Sequence, residues 1–435
     1  MLFTNSGGTM KIKYGLVSFV ASLFLLGNFS SAKADVNEFA AKVNGDIYGQ
    51  VRVIDDVDGD GNKDMIFGAT DGKVHIFSAS GKEIFRPPYW PKQVNGPITA
   101  GIEVTDIDGK GKANILVSTM EGTVYCLNSK GKELWQYNTG GKILVSPPVV
   151  IDDSILINSG SGQVVALSSS GQTKAVYSMD HPVQATPVAV DTNGNGRKEV
   201  IVKDNSGKIV VFDITGTKLN EWMSTPNLTN VDWPFNIDAA DINGDGFPEI
   251  FTTDPLNSSG IFQMWDDAGN LKSSFNLTEA AHGAPKVADI DGDGIDDFII
   301  AQCDGKVIVC DKKGKIKKGW PYECGYSIYS APSLIDLDGD GIPEIVFTGN
   351  NGSYKGEQAG CIIALNNEGK MLEDFPKYIG KTLAPLTFAD LDGDGVLEII
   401  ASGGIGYTGP QLRVIKTKTK QKFKIVTVRQ QTTIK

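Results

Sequence analysis

The residues in this chain best placed to do chemistry are aspartates at alternate positions of short glycine-containing stretches. Asp56-Val57-Asp58-Gly59-Asp60-Gly61-Asn62-Lys63-Asp64 carries carboxylates at positions 1, 3, 5 and 9. Carboxylates crowded into one tight turn repel one another, so the turn is costly without a cation. The two glycines permit the backbone conformations that aim the acids inward. Oxygen-only donors suit a hard cation, and a flexible cage of six or more oxygens suits calcium better than magnesium. The expected ligands are the side chains of Asp56, Asp58, Asp60 and Asp64, with the backbone carbonyl of Asn62.

Six further loops of this form start at Asp106, Asp191, Asp241, Asp289, Asp336 and Asp390. Three match the first in full. They are Asp289, Asp291, Asp293 and Asp297 with the Ile295 carbonyl; Asp336, Asp338, Asp340 and Glu344 with Ile342; and Asp390, Asp392, Asp394 and Glu398 with Val396. A fourth, with Asp241, Asn243, Asp245, Glu249 and the Phe247 carbonyl, has lost one carboxylate. A fifth, with Asp191, Asn193, Asn195, Glu199 and the Arg197 carbonyl, keeps two and should bind more weakly. At Asp106, Lys110 and Asn114 replace the acids, and the ammonium is expected to stand where an ion would be. The pattern thus predicts about five or six calcium ions. It is not an EF-hand, which needs a 12-residue loop between helices.

The charge balance fits this reading. The first 34 residues hold Lys11, Lys13 and Lys33 and no acid, so without them the net charge falls from −11 to −14. Divalent ions in the loops would bring it close to neutrality. An acidic chain repels nucleic acid and anionic membranes.

Other chemistry is sparse, and no catalytic residue is predicted. The chain has three His, with no nucleophile elbow and no zinc-ligand spacing. Gly404-Ile405-Gly406-Tyr407-Thr408-Gly409 spells a dinucleotide fingerprint but leads through Pro410 into a strand rather than a helix, so it reads as a hairpin. Cys126, Cys303, Cys310, Cys324 and Cys361 are odd in number and irregular in spacing, and read as strand residues. The lysine-rich stretch 416–424 reads as a charged outer strand that discourages edge pairing. Trp90-Pro91, Trp233-Pro234 and Trp320-Pro321 read as packing between repeats. The candidate ligand contacts are Tyr326, Tyr329, His181 and His282, all of which precede strands that open a repeat.

The elements that must position these groups form a repeat. Each unit is a short apolar strand ending in Asp, the nine-residue loop, and three further runs of Val, Ile and Phe separated by glycine turns. A unit without its loop, Ser146 to Leu167, fills the gap between Asp106 and Asp191. Four-stranded units at this period predict an all-β, eight-bladed β-propeller, or seven blades if the degenerate unit lies outside the ring. Residues 37–43 resemble a stray fourth strand that could complete the last blade, and Phe423 to Val428 could do the same. Strand order puts the aspartate loops on one face and the blade-to-blade connections on the other.

These loops, with Phe67-Gly68-Ala69-Thr70, resemble the FG-GAP (VCBS-like) repeats of integrin α-type propellers over essentially residues 37–435. The resemblance implies calcium on one face and ligand on the other. The leader reads as a signal peptide over residues 1–34, cut after Ala32-Lys33-Ala34, ahead of a propeller over 35–435. A secreted, periplasmic or cell-surface protein is expected. It would be a calcium-stabilised binding or adhesion module for glycan or protein. The rivals are a calcium-dependent, lyase-like polysaccharide-degrading propeller and a structural part of an envelope assembly.

Overall fold

A computed structural model describes residues 38–224, 236–256, 259–337, 340–354, 357–403 and 411–417. Residues 1–37 (which include the expected signal peptide), Trp233, Phe235, Asp338, the 404–409 glycine run and the Phe423–Val428 segment lie outside the described residues.

The third blade shows the plan at its simplest. Its strands are Val149–Ile151, Ser154–Ser159, Gln163–Leu167 and Thr173–Ser178, paired antiparallel in chain order. The first two are joined directly through Asp152-Asp153, with Asp152 at φ 50° and Ile151 opposite Ser154. In the other blades a nine-residue aspartate loop replaces this tight turn. All eight sheets are four-stranded and antiparallel, and they stand in a ring. The degenerate unit is a full blade.

The middle strands read as continuous apolar runs because both of their faces are covered. Met65, Ile66 and Phe67 of blade 1 are each about fully buried, as are their counterparts around the ring. Outer strands alternate, as Glu133–Asn138 and Lys218–Met223 do, because one face meets solvent. The buried side chains fall into clusters that each bridge two adjacent blades. Phe251 and Phe262 of blade 5 pack on Phe298 of blade 6 with ring centroids 5.1 and 4.7 Å apart. The cluster holding Met65 and Phe67 also holds Leu412 and Val414, and so joins the last blade to the first.

Phe39–Ala41 closes the ring. It pairs antiparallel with Leu412–Lys416 as the outermost strand of blade 8, with Ala40 opposite Arg413. Gln411 Oε1 accepts from the Val43 amide at 2.9 Å and secures the join.

A second recurring contact locks neighbouring blades. An aromatic ring from one outer edge lies on the glycine of the next blade's last turn. Phe39 lies on Gly81, Trp90 on Gly131, Trp135 on Gly171, Trp222 on Gly269 and Phe275 on Gly314. At Gly171 a Cβ would fall 2.7 Å from the Trp135 ring, and its φ is 78°. Trp135 Nε1 also donates to Ser169 O at 2.9 Å. Trp90 and Trp320 are buried, as expected of packing residues. The cysteines are all free, three of them buried.

Candidate functional site

The aspartate loops share one hydrogen-bonded scaffold. The first Asp accepts backbone amides from both glycines. Asp56 takes Gly59 at 2.5 Å and Gly61 at 2.8 Å; Asp289 takes Gly292 and Gly294 at 2.8 and 2.9 Å; Asp390 takes Gly393 and Gly395 at 2.6 and 3.1 Å. The fifth residue accepts the amide of the seventh, as in Asp60 to Asn62 and Asp394 to Val396. In most loops the ninth accepts the amide of the second, as Asp64 does from Val57 at 2.6 Å and Glu398 from Leu391 at 2.9 Å, whereas Asp297 faces Lys317 instead. Gly59 and Gly61 sit at φ 88° and 92°, where a side chain would be strained. The chain therefore folds each loop around a ring of oxygens.

Three loops bring carboxylate oxygens within 4.8 Å of one another: Asp56, Asp58 and Asp64; Asp289, Asp291 and Asp293; and Asp390, Asp392 and Glu398. Asp64 is fully buried and its Oδ1 has no hydrogen-bond partner. Burial, reinforced by the charges of Asp58, Asp56 and Asp60, pushes its carboxyl up to about 7. Burial does the same for Glu398, with Asp392 and Asp394 adding to it, again to about 7. A buried carboxylate with an unused oxygen, faced by two more acids, fits a divalent cation.

The remaining loops differ in how they answer the closing acid. Where Asn stands at the third position, its amide does so. Asn193 Nδ2 donates to Glu199 Oε1 at 2.9 Å, and Asn243 Nδ2 donates to Glu249 Oε1. Burial still raises the Glu249 carboxyl. In the Asp336 loop, Glu344 accepts the Leu337 amide at 2.5 Å and Asp340 that of Ile342 at 2.8 Å. Lys110 donates to Asp108 at 2.6 Å from a largely exposed side chain.

Two lysines unmarked by the loop pattern do reach carboxylate clusters. Lys317 contacts Asp291, Asp297 and Asp293 at 2.8, 3.0 and 3.1 Å, and Lys416 contacts Asp394 at 2.9 Å and Asp392 at 3.5 Å. Lys416 stands where other blades place the residue that caps the last turn, such as Asp213 or Asn366. Aligning the repeats strand by strand would have singled it out.

On the opposite face, segments just ahead of the inner strands of all eight blades surround a cavity of about 500 Å³ at the channel mouth. His282 and Tyr329 both line it, with ring centroids 5.8 Å apart. Tyr326 instead packs on the apolar cluster between blades 6 and 7, and His181 is exposed away from the cavity. Both stand further back in their connections. Arg52, Thr99, Gln184 and Lys381 line the mouth and were not singled out by the sequence reading, because nothing but their place at or ahead of the start of an inner strand marks them.

Comparisons with known proteins agree with this architecture. The FG-GAP-like repeat matches residues 191–252, 289–347 and 336–401, and the λ-carrageenase β-propeller domain matches residues 86–160. No curated protein matches the chain. Among solved structures, Sqt1 of Saccharomyces cerevisiae superposes with a TM-score of 0.60 at 11% identity, over 87% of this chain and 97% of that one. BamB from Moraxella catarrhalis gives 0.54 at 17%, over 86% and 97%. The V. cholerae biofilm matrix protein Bap1 gives 0.54 at 13%, over 88% and 92%. With its repeated aspartate loops and closed ring of blades, the chain is an eight-bladed β-propeller that carries FG-GAP-like repeats over residues 191–252 and 289–401.

Proposed function

We propose that this chain is an exported binding module, stabilised by calcium in its aspartate loops, that takes a glycan or protein ligand on the face opposite those loops. The observation that carries the reading is the division of labour between the faces. One face consists of near-identical loops whose oxygens are gathered for cations. The other holds a cavity to which all eight blades contribute different side chains. A concave site with convergent polar groups is the usual form of a ligand pocket. The leader over residues 1–34 supports export, into compartments where millimolar calcium fills sites of modest affinity.

A second reading, a polysaccharide-cleaving propeller, is favoured by the match of residues 86–160 to a domain named for λ-carrageenase. Two assays on the mature protein in calcium separate these readings. A glycan array reports binding, and release of reducing ends from acidic polysaccharides reports cleavage. Binding without new reducing ends is the expected result. Turnover would overturn the non-catalytic reading, and no bound glycan or protein would overturn the module itself.

A further inference from the structure

The channel mouth has a charge of its own. Among the described residues that line it there is no Asp or Glu, in a chain of net charge −11. Its cationic side chains are Arg52 and Lys381, with the His282 imidazole nearby. Arg52 is already committed, donating to Glu103 at 2.5 Å and to the Ile102 carbonyl at 3.1 Å. Between inner strands on the far side of the ring, Lys286 pairs with Asp238 at 3.3 Å. Lys381 has no such acid. Among the described residues its ammonium makes no ion pair or hydrogen bond, although it borders the cavity.

Thr99 and Gln184 also line the mouth, but Thr99 Oγ1 and Gln184 Oε1 are shut off from solvent and face into the wall. The amides around them are spent on holding the wall. Asn236 Nδ2 donates to His282 O at 3.0 Å, Asn236 Oδ1 accepts the Thr186 amide at 3.2 Å, and Gln50 Nε2 donates to Leu386 O at 2.8 Å. These bonds cross from blade to blade, so the wall is set before any ligand arrives, which lowers the cost of binding. The Tyr329 and His282 rings supply a flat surface beside it.

We propose that the mouth binds an acidic saccharide. A carboxylate or sulfate meets Lys381, and a sugar ring face rests on Tyr329. The cavity, at about 500 Å³, is within the roughly 300–1,000 Å³ of small-ligand pockets. An ammonium with no partner among the described residues, in a lining that holds no acid among them, favours an anion, and the Tyr329 and His282 rings offer a flat surface to a sugar face beside it. This inference rests on the binding reading above.

The test is calorimetric titration of the mature protein in calcium with four probes. They are oligogalacturonate, a sulfated galacto-oligosaccharide, its desulfated neutral parent, and hexaglutamate. At least one acidic saccharide binds, and the neutral parent and hexaglutamate bind about tenfold more weakly or not at all. Lys381→Gln weakens the acidic ligand about tenfold and leaves the melting temperature unchanged. The two saccharide arms separate carboxylate from sulfate. Equal binding of the neutral parent, unaffected by Lys381→Gln but lost in Tyr329→Ala, overturns the charge assignment and leaves the binding reading standing. Equal binding of hexaglutamate overturns the saccharide. If none of the four binds, while an array or a partner protein identifies another ligand, the inference falls alone. If nothing of any class binds, the binding reading falls with it.

Discussion

At the residue scale, the closing acids of the loops decide how the protein responds to pH. Asp64 is buried among three other aspartates, and its carboxyl is raised to about 7, far above its unfolded value. An acid whose folded pKa is raised is protonated more readily in the folded state. It favours folding while protonated, and that contribution is lost as pH rises towards and through about 7. Glu398 behaves alike. In chelator, therefore, the melting temperature should fall as pH goes from about 5 to 8 by more than in calcium, where the ion replaces the proton. Asp64→Asn should flatten that fall in chelator, because its amide does not ionise, and should lower the calcium count by one. Parallel pH profiles for wild type and variant in chelator would show that Asp64 is not the strained carboxylate described.

At the element scale, the ring is held by contacts that repeat with the blades. The aromatic-on-glycine lock needs a left-handed residue without a side chain. Gly171→Ala meets both a φ of 78° and the Trp135 ring 2.7 Å from the new Cβ. It should destabilise by about 1–3 kcal/mol, read as a drop in the denaturation midpoint. An unchanged midpoint would mean that the lock carries no stability.

The same repetition explains what could be read in advance. The period, the loops and the loop-less blade are local patterns of Asp, Gly and apolar runs, and they survive in the linear chain. Ring closure is not local. Phe39–Ala41 pairs with Leu412–Lys416 at the other end of the sequence, and two stretches had the composition of a closing strand. Phe39 joins the lock series by lying on Gly81, but that identity shows only once the blades are stacked. Tyr326 and Tyr329 looked equivalent in sequence. The first turns into the interface between blades and the second to the mouth, because the connection bends between them.

At the scale of the whole molecule, the fold separates two kinds of site by geometry alone. Strands 1 and 2 of each blade meet on one face, so a repeated loop there sets out a series of oxygen clusters able to hold cations. Blades meet one another on the other face, so irregular connections become the wall of a single cavity. Clusters of carboxylates stand on the first face, and the described lining of the cavity on the second holds no acid. Each loop that loads calcium at 100 times its dissociation constant adds roughly 2.7 kcal/mol to stability, so several loops acting together should dominate the melt. The most direct test counts bound calcium by native mass spectrometry while following the thermal melt in millimolar calcium and in chelator. The account predicts about five or six ions, a clearly higher melting temperature with calcium, and loss of one ion each in Asp58→Ala, Asp291→Ala and Asp392→Ala. A protein that holds no calcium and melts identically in both buffers would contradict it.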